Sequence, residues 1–210
     1  MRAVIIAHGE MTDYQEIRSL LSAGDFIIAA DGGAYHAKKL GIVPHLLIGD
    51  MDSLGEDGLA EYFSQGVKVI RYPKEKDYTD THLAILYAIE HNYQEIILLG
   101  ALGTRIDHTL TNLFLMFHPD FNNVCIKLQN EFQEISVLKN PAELKGKAGE
   151  IFSLICLEDI KGLSIKGAKY PLNDADVFFG GSLTLSNEFL HETVKISWIE
   201  GEKILLVRLK

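Results

Sequence analysis

The chain has 210 residues, 47% of them apolar and 23% charged, enough apolar side chain for one large or two small folded domains and too much for a disordered chain. Its 29 acidic residues outnumber its 20 basic ones for a net charge of −9, which argues against a broad basic surface for nucleic acid. No apolar run approaches the roughly 20 residues of a membrane helix.

The N-terminal segment MRAVIIAHGE is too short in its apolar run for a signal peptide and reads as a first strand over 3–8. A helical pattern follows at 14–22, then a strand at 26–30 that runs into Asp31-Gly32-Gly33. A short helix at 34–40 ends at Gly41, and the strand 45–49 leads into Asp50-Met51-Asp52-Ser53. Further along come a helix at 56–65, a strand at 67–72, a helix at 81–92, a strand at 95–100, a helix at 108–117 and a strand at 124–128. Strands alternating with helices, and apolar on both faces, predict an open, mostly parallel sheet covered by helices, in the Rossmann manner.

The pattern changes near residue 128. Segments 134–138, 150–157, 163–167, 176–179, 182–186, 194–199 and 203–209 read as strands broken by turn residues. Glu200-Gly201-Glu202 reads as the turn of a hairpin joining the last two. The expected division is therefore an α/β domain over 1–128 and an antiparallel β-sandwich over 129–210. Cys125 and Cys156 lie in apolar strand patterns and are expected to be buried, reduced thiols of a cytoplasmic protein.

Charge is unevenly placed: residues 1–125 hold 17 acidic and 9 basic side chains, the remainder 12 and 11. Ligands of open parallel sheets bind at the carboxyl ends of the strands. The polar clusters of the first domain all fall there: Asp31-Gly32-Gly33, Asp50 to Ser53, Arg71 to Asp80, and Gly100 to His108. Asp50 and Asp52, two residues apart, can aim two carboxylates at one divalent cation, and Mg²⁺ takes one or two carboxylates plus phosphate oxygens. Asp77 and Asp80 join them on the same edge as metal candidates, with Asp31 in support. Helix capping is the competing role for Asp52, Ser53, Thr79, Asp80 and Asp107. Lys74, Lys76, Arg71 and above all Arg105 suit phosphate charge, while Gly100 and Gly103 permit close backbone approach to an anion. Neither GxxxxGK[ST] nor GxGxxG is present; His8-Gly9-Glu10 stands after the first strand.

Six segments in order, AADGGA (29–34), IGDMDS (48–53), KDYTDTHLAI (76–85), LGALGTRIDHTLTN (99–112), GAKYPL (167–172) and LSNEF (185–189), resemble the bacterial thiamine pyrophosphokinases. The resemblance implies a Mg²⁺-dependent transfer of the pyrophosphoryl group of ATP to the hydroxyl of thiamine, giving thiamine diphosphate and AMP. It implies a homodimer whose active sites combine the α/β domain of one subunit with the sandwich of the other. Carried over by motif, Asp50, Asp52, Asp77 and Asp80 would serve catalysis and metal, and Asp31, Ser53, Lys76, Thr79, Gly103, Arg105 and Asp107 the ATP phosphates. Ser186 and Asn187 would bind thiamine. A flat cationic substrate calls for an aromatic platform, with Phe189 the first candidate and Tyr170 the second; Trp198 reads as structural. A Mg²⁺-dependent phosphohydrolase and a non-catalytic thiamine or nucleotide sensor remain as alternatives.

Overall fold

A computed structural model describes residues 1–210, which divide into two compact units, Met1–Glu131 and Phe132–Lys210. The first unit contains β1 (Arg2–Ile6), α1 (Tyr14–Ser19), β2 (Phe26–Ala30), α2 (Gly33–Lys39), β3 (Leu46–Gly49), α3 (Gly55–Ser64) and β4 (Lys68–Arg71). It continues with α4 (Asp80–Glu90), β5 (Glu95–Leu99), α5 (Ile106–Leu115) and β6 (Cys125–Gln129). All six strands run parallel, in the order β6-β5-β1-β2-β3-β4. The chain builds outward from β1 to β4, then crosses back to place β5 on the other side of β1. The order therefore reverses between β1 and β5, where an open α/β sheet forms its ligand crevice.

The apolar runs give this sheet its stability. Ile5, Ile28, Leu46, Leu47 and Ile96 are fully buried, each worth about 1.5–3 kcal/mol by transfer from water. The edge strand β4 keeps Lys68 and Arg71 exposed, which discourages pairing with another strand. Asp13 caps α1 by accepting from the amides of Gln15 and Glu16, and the Thr79 hydroxyl caps α4 by accepting from the amide of His82.

The second unit holds two antiparallel sheets. One has the order β12 (Asn187–Glu188), β9 (Ile151–Cys156), β14 (Ile204–Leu209), β7 (Gln133–Val137). The other runs β11 (Leu172–Val177), β10 (Ile160–Lys166), β13 (Thr193–Ser197), β8 (Ala142–Lys145). Phe152, Leu154, Ile165, Phe189, Val194, Ile196, Trp198 and Leu206 share one core.

Four expectations need correction here. No hairpin joins the last two strands: β13 pairs with β8 and β10, whereas β14 pairs with β7 and β9. The chain turns inward at the buried Trp198, whose indole N–H donates to the Gly201 carbonyl at 2.7 Å, and so changes sheets. Residues 182–186 form turns: Leu183 and Leu185 face solvent, and only Thr184 points inward, donating its hydroxyl to the Leu154 carbonyl. The strand expected at 176–179 ends at Val177, leaving Phe178 and Phe179 exposed, and the polar β8 lacked a readable apolar alternation. Cys125 is exposed at the start of β6; it and the half-buried Cys156 are both unpaired.

Candidate active site

The loops at the carboxyl ends of β1 to β5 enclose a crevice of about 640 Å³. Two loops meet at the switch point. The amides of Gly9 and Glu10, after β1, donate to the carbonyls of Gly100 and Leu102, after β5, at 2.6 and 2.9 Å. That approach requires glycine: a Cβ on Gly9 would lie 2.3 Å from the Leu102 carbonyl oxygen and 2.4 Å from that of Gly100. From α5, the Asn112 amide donates to the Ala101 carbonyl at 2.8 Å, and the Thr109 hydroxyl accepts from the Gly103 amide at 3.1 Å. Both are side chains of one helix face, spaced three residues apart, and both hold the 101–103 turn.

The acidic floor centres on Gly49. This residue has φ +145°, and a Cβ there would lie 3.1 Å from Asp31 Cβ and from Asp80 Cγ and Oδ1. Asp31 adopts a left-handed backbone (φ 43°), and its Oδ1 accepts from the Ser53 hydroxyl at 3.0 Å. Asp50 Oδ1 accepts from the amide of Asp52, forming a tight turn. Asp80 stands in the first turn of α4, where the helix dipole favours negative charge. The Lys76 ammonium pairs with Asp80 Oδ1 at 2.9 Å, and this buried oxygen has no other partner. Burial pushes the Asp80 carboxyl above its ordinary pKa, Asp31 and Asp50 push the same way, and Lys76 opposes them.

Of the residues singled out in the sequence, Asp31, Asp50, Lys74, Lys76, Asp77, Thr79, Asp80, Gly100, Gly103 and Arg105 line the crevice. Asp52 and Ser53 stand outside its lining, with Asp52 paired on the surface to Lys74 at 3.1 Å. Neither caps α3, which begins behind Leu54 without a side-chain cap. Asp107 does not cap α5 either; it pairs with Arg105, and both are exposed. The sequence reading missed His8, Glu10, Tyr78, Thr109 and Asn112 as lining residues. For His8 and Glu10 the available signal was their position directly after β1, although only the strand order shows that β1 borders the switch point.

In the second unit, Asn187 is buried at 3% exposure and its amide is fully committed. Its Oδ1 accepts from the amides of Tyr170 and Glu188, and its Nδ2 donates to the Tyr170 carbonyl. Phe189 is 1% exposed and packs edge-on against Phe152, so it belongs to the core and not to an aromatic platform. Tyr170 is 57% exposed, beside the Lys169–Glu188 ion pair. Ser186 has a left-handed backbone (φ 52°), and its amide donates to the Ser153 hydroxyl.

No three His, Cys, Asp or Glu side chains form a ready cage for a metal ion. The residues nevertheless suit Mg²⁺, which keeps most of its waters and needs only one or two protein carboxylates plus phosphate oxygens. Asp80 Oδ1, buried, with Lys76 as its one partner and two carboxylates nearby, is the kind of oxygen such a cation can share.

An open parallel sheet with an acidic crevice at its switch point, glycine-rich turns and no P-loop defines a nucleotide-type α/β enzyme joined to a β-sandwich unit. The family descriptions "Thiamin pyrophosphokinase, catalytic domain" and "Thiamin pyrophosphokinase, vitamin B1 binding domain" match residues 17–128 and 133–201. The chain belongs to the thiamin pyrophosphokinase family. It is 29% identical over 205 residues to the thiamine pyrophosphokinase of Bacillus subtilis, covering 96% of both chains. The crystal structure of thiamine pyrophosphokinase from Bacillus subtilis superposes with a TM-score of 0.85 at 27% identity, covering 100% of this chain and 99% of that one. A thiamin pyrophosphokinase family protein from Enterococcus faecalis gives 0.83 at 28% identity, with the same coverage. A Caenorhabditis elegans thiamin pyrophosphokinase is 26% identical over 186 residues, 81% of this chain and 74% of that one.

Proposed function

We propose that this protein transfers the pyrophosphoryl group of ATP to the hydroxyl of thiamine, releasing AMP, with the crevice of the first unit holding the triphosphate. The observation that carries the reading is the convergence of Asp31, Asp50 and Asp80 around Gly49 beside a crevice large enough for a nucleotide. Asp80 and Asp50 are the residues suited to hold Mg²⁺, which when bound neutralises triphosphate charge and polarises the phosphorus under attack. Asp77, at the crevice wall, shares the acidic set, and Asp31 keeps Ser53 in place behind it. Lys76 and Arg105 supply cationic charge from the protein. Arg105 can leave its exposed pairing with Asp107 at little cost to meet phosphate oxygens bidentately. The Gly100 to Gly103 turn, held by Asn112 and Thr109, offers backbone close to the phosphates. The thiamine alcohol is a weak nucleophile, so positioning and charge neutralisation carry most of the acceleration.

Thiamine recognition falls to the second unit, with Ser186 and the exposed ring of Tyr170 as the contacting groups and Asn187 holding Tyr170 in place. The protein acts as a homodimer. Supporting this is the exposed apolar stripe Ile106, Leu110 and Phe114 along one face of α5, together with exposed Phe178 and Phe179 in the second unit. Its setting is the cytoplasm, where the unpaired thiols of Cys125 and Cys156 persist. No helix is long and apolar enough to cross a membrane.

The test is product analysis of the purified protein with ATP, Mg²⁺ and thiamine, with EDTA and no-thiamine controls. Thiamine diphosphate with equimolar AMP, lost in EDTA, is the expected outcome. ADP with thiamine monophosphate, or phosphate release without thiamine, would replace this reading with a simple kinase or a phosphohydrolase. Sedimentation of the same preparation at the mass of a monomer would refute the dimer.

A further inference from the structure

We propose that His36, which lies outside the crevice lining, is a positioning residue for the nucleotide: through the Gly9 carbonyl it holds the turn after β1 against the turn after β5. The proposal rests on the assignment of the crevice to ATP.

His36 lies in α2 and is 6% exposed. Its Nε2 is 2.8 Å from the Gly9 carbonyl oxygen, and its Nδ1 is 2.8 Å from the Tyr14 hydroxyl. A carbonyl oxygen only accepts, so Nε2 carries the hydrogen and donates to Gly9. Nδ1 then accepts from Tyr14, and the neutral ring is fully satisfied. Burial depresses the His36 pKa, the Gly9 bond opposes this, and His8 and Lys39 add to the depression. Tyr35 packs edge-on against the same ring, and Lys39 and Glu131 act in opposite directions on the Tyr14 hydroxyl that bonds it.

Core packing does not call for histidine here. The flanking buried residues Ala34 and Ala37 are aliphatic, and a buried imidazole must offset its desolvation with hydrogen bonds. What it offers beyond an aliphatic side chain is a donor to the Gly9 carbonyl. That carbonyl belongs to the turn whose amides reach Gly100 and Leu102, so a single donor tethers both turns at the switch point. His36 also packs edge-on against the crevice residue His8, with ring centroids 5.8 Å apart. His8 in turn lies over Gly32, where a Cβ would come 2.1 Å from its Nδ1.

The experiment compares His36→Leu, His36→Gln and Tyr14→Phe with the unsubstituted protein by steady-state kinetics and by hydrogen exchange at the Gly9 and Glu10 amides. Gln places an N–H near the position of Nε2 and can still donate to Gly9; Leu cannot. His36→Leu is expected to raise KM for ATP about tenfold, with kcat and the KM for thiamine within about threefold, and to speed exchange at both amides. His36→Gln is expected to restore most of both properties. Tyr14→Phe, which keeps the ring and its packing, should give an intermediate result and decides the matter if His36→Leu does not fold. Equal behaviour of Leu and Gln, or unchanged exchange at Gly9 and Glu10, would overturn the proposal. The exchange readout needs no substrate, so it still decides the role of His36 if the protein makes no thiamine diphosphate at all.

Discussion

Replacing Gly9 by alanine tests the geometry of the switch point directly. The added methyl would sit 2.3 and 2.4 Å from two backbone carbonyl oxygens, Leu102 and Gly100. An ordinary carbon–oxygen contact is about 3.3 Å, so the two turns must separate by about 1 Å. Backbone cannot yield as a flexible side chain does. The separation weakens the bonds from Gly9 to Gly100 and from Glu10 to Leu102. At about 1 kcal/mol for each bond, the cost is about 2 kcal/mol, or a Tm lower by roughly 4–8 °C for a protein of this size. The same 1 Å misplacement, in a wall of the crevice, is expected to lower kcat/KM about 100-fold. Gly24→Ala is the control: nothing lies within 4 Å of a Cβ there, and the change should be neutral or slightly stabilising. Thermal unfolding and a coupled AMP assay measure both quantities. A Gly9→Ala protein with native Tm and activity within twofold would show that the two turns are not held as described.

Four further outcomes follow from other parts of the molecule. Asp80→Asn removes a carboxylate that the fold disfavours in its ionised form, so turnover should drop about 1000-fold while Tm holds or rises; a lowered Tm with retained activity would contradict the role given to this residue. Asp25→Ala should cost about 3 kcal/mol without touching KM, because the 3% exposed carboxylate takes two bonds from Arg2 and one from the Ser22 amide; a loss under about 0.5 kcal/mol in denaturant unfolding would refute this. Asn187→Ala should raise the KM for thiamine about tenfold and leave that for ATP unchanged, an outcome sunk by equal effects on both. Burial depresses the pKa of His36 and of His82, so the unfolded chain binds more protons than the native one below the ordinary imidazole value near 6.5. Stability should therefore fall as pH drops from about 7.5 to about 5.5, less steeply in His36→Leu; a flat Tm across that range would count against both burials.

The alternation of strands and helices in the first unit was legible because sandwiched parallel strands are apolar on both faces: the runs at Val4–Ile6, Ile27–Ala30 and Ile96–Leu99 have no solvent side to write into the sequence. Strand order was not legible. Nothing local to β5 says that it returns past β4 to pair with β1, so the turn at His8 to Glu10 could be placed at a strand's carboxyl end but not at the switch point. In the second unit the local signals misled in a systematic way. Glu200-Gly201-Glu202 has hairpin chemistry, but the anchoring of Trp198 sends the chain into the other sheet. Leu183 and Leu185 alternate like a strand yet face solvent, while Phe189, four residues on, fills the core. The alternation that marks a strand says which residues share a face, and only the tertiary fold says which face is inside.

The same distinction separates the two ways in which polar motif residues work here. Asn187 stands in a conspicuous motif, yet every polar atom of its side chain is turned to the backbone of Tyr170 and Glu188, and what it determines is where Tyr170 is presented. Asp80 is the opposite case: its carboxylate meets only Lys76 and stands beside two further carboxylates. Asp31, Gly49 and Met51 all have positive φ around it, so strain and like-charge crowding are gathered at one point of the sheet edge. A fold selected for stability alone would relieve that crowding with a neutral side chain. In the proposed reaction a triphosphate would bring further negative charge to the same place, so the acidic floor and the substrate would repel each other unless positive charge lay between them. Lys76 is the cation already paired with Asp80, 2.9 Å from Oδ1. On the proposed function, a divalent cation placed between the carboxylates and the triphosphate relieves that repulsion, so metal binding and ATP binding are expected to favour each other.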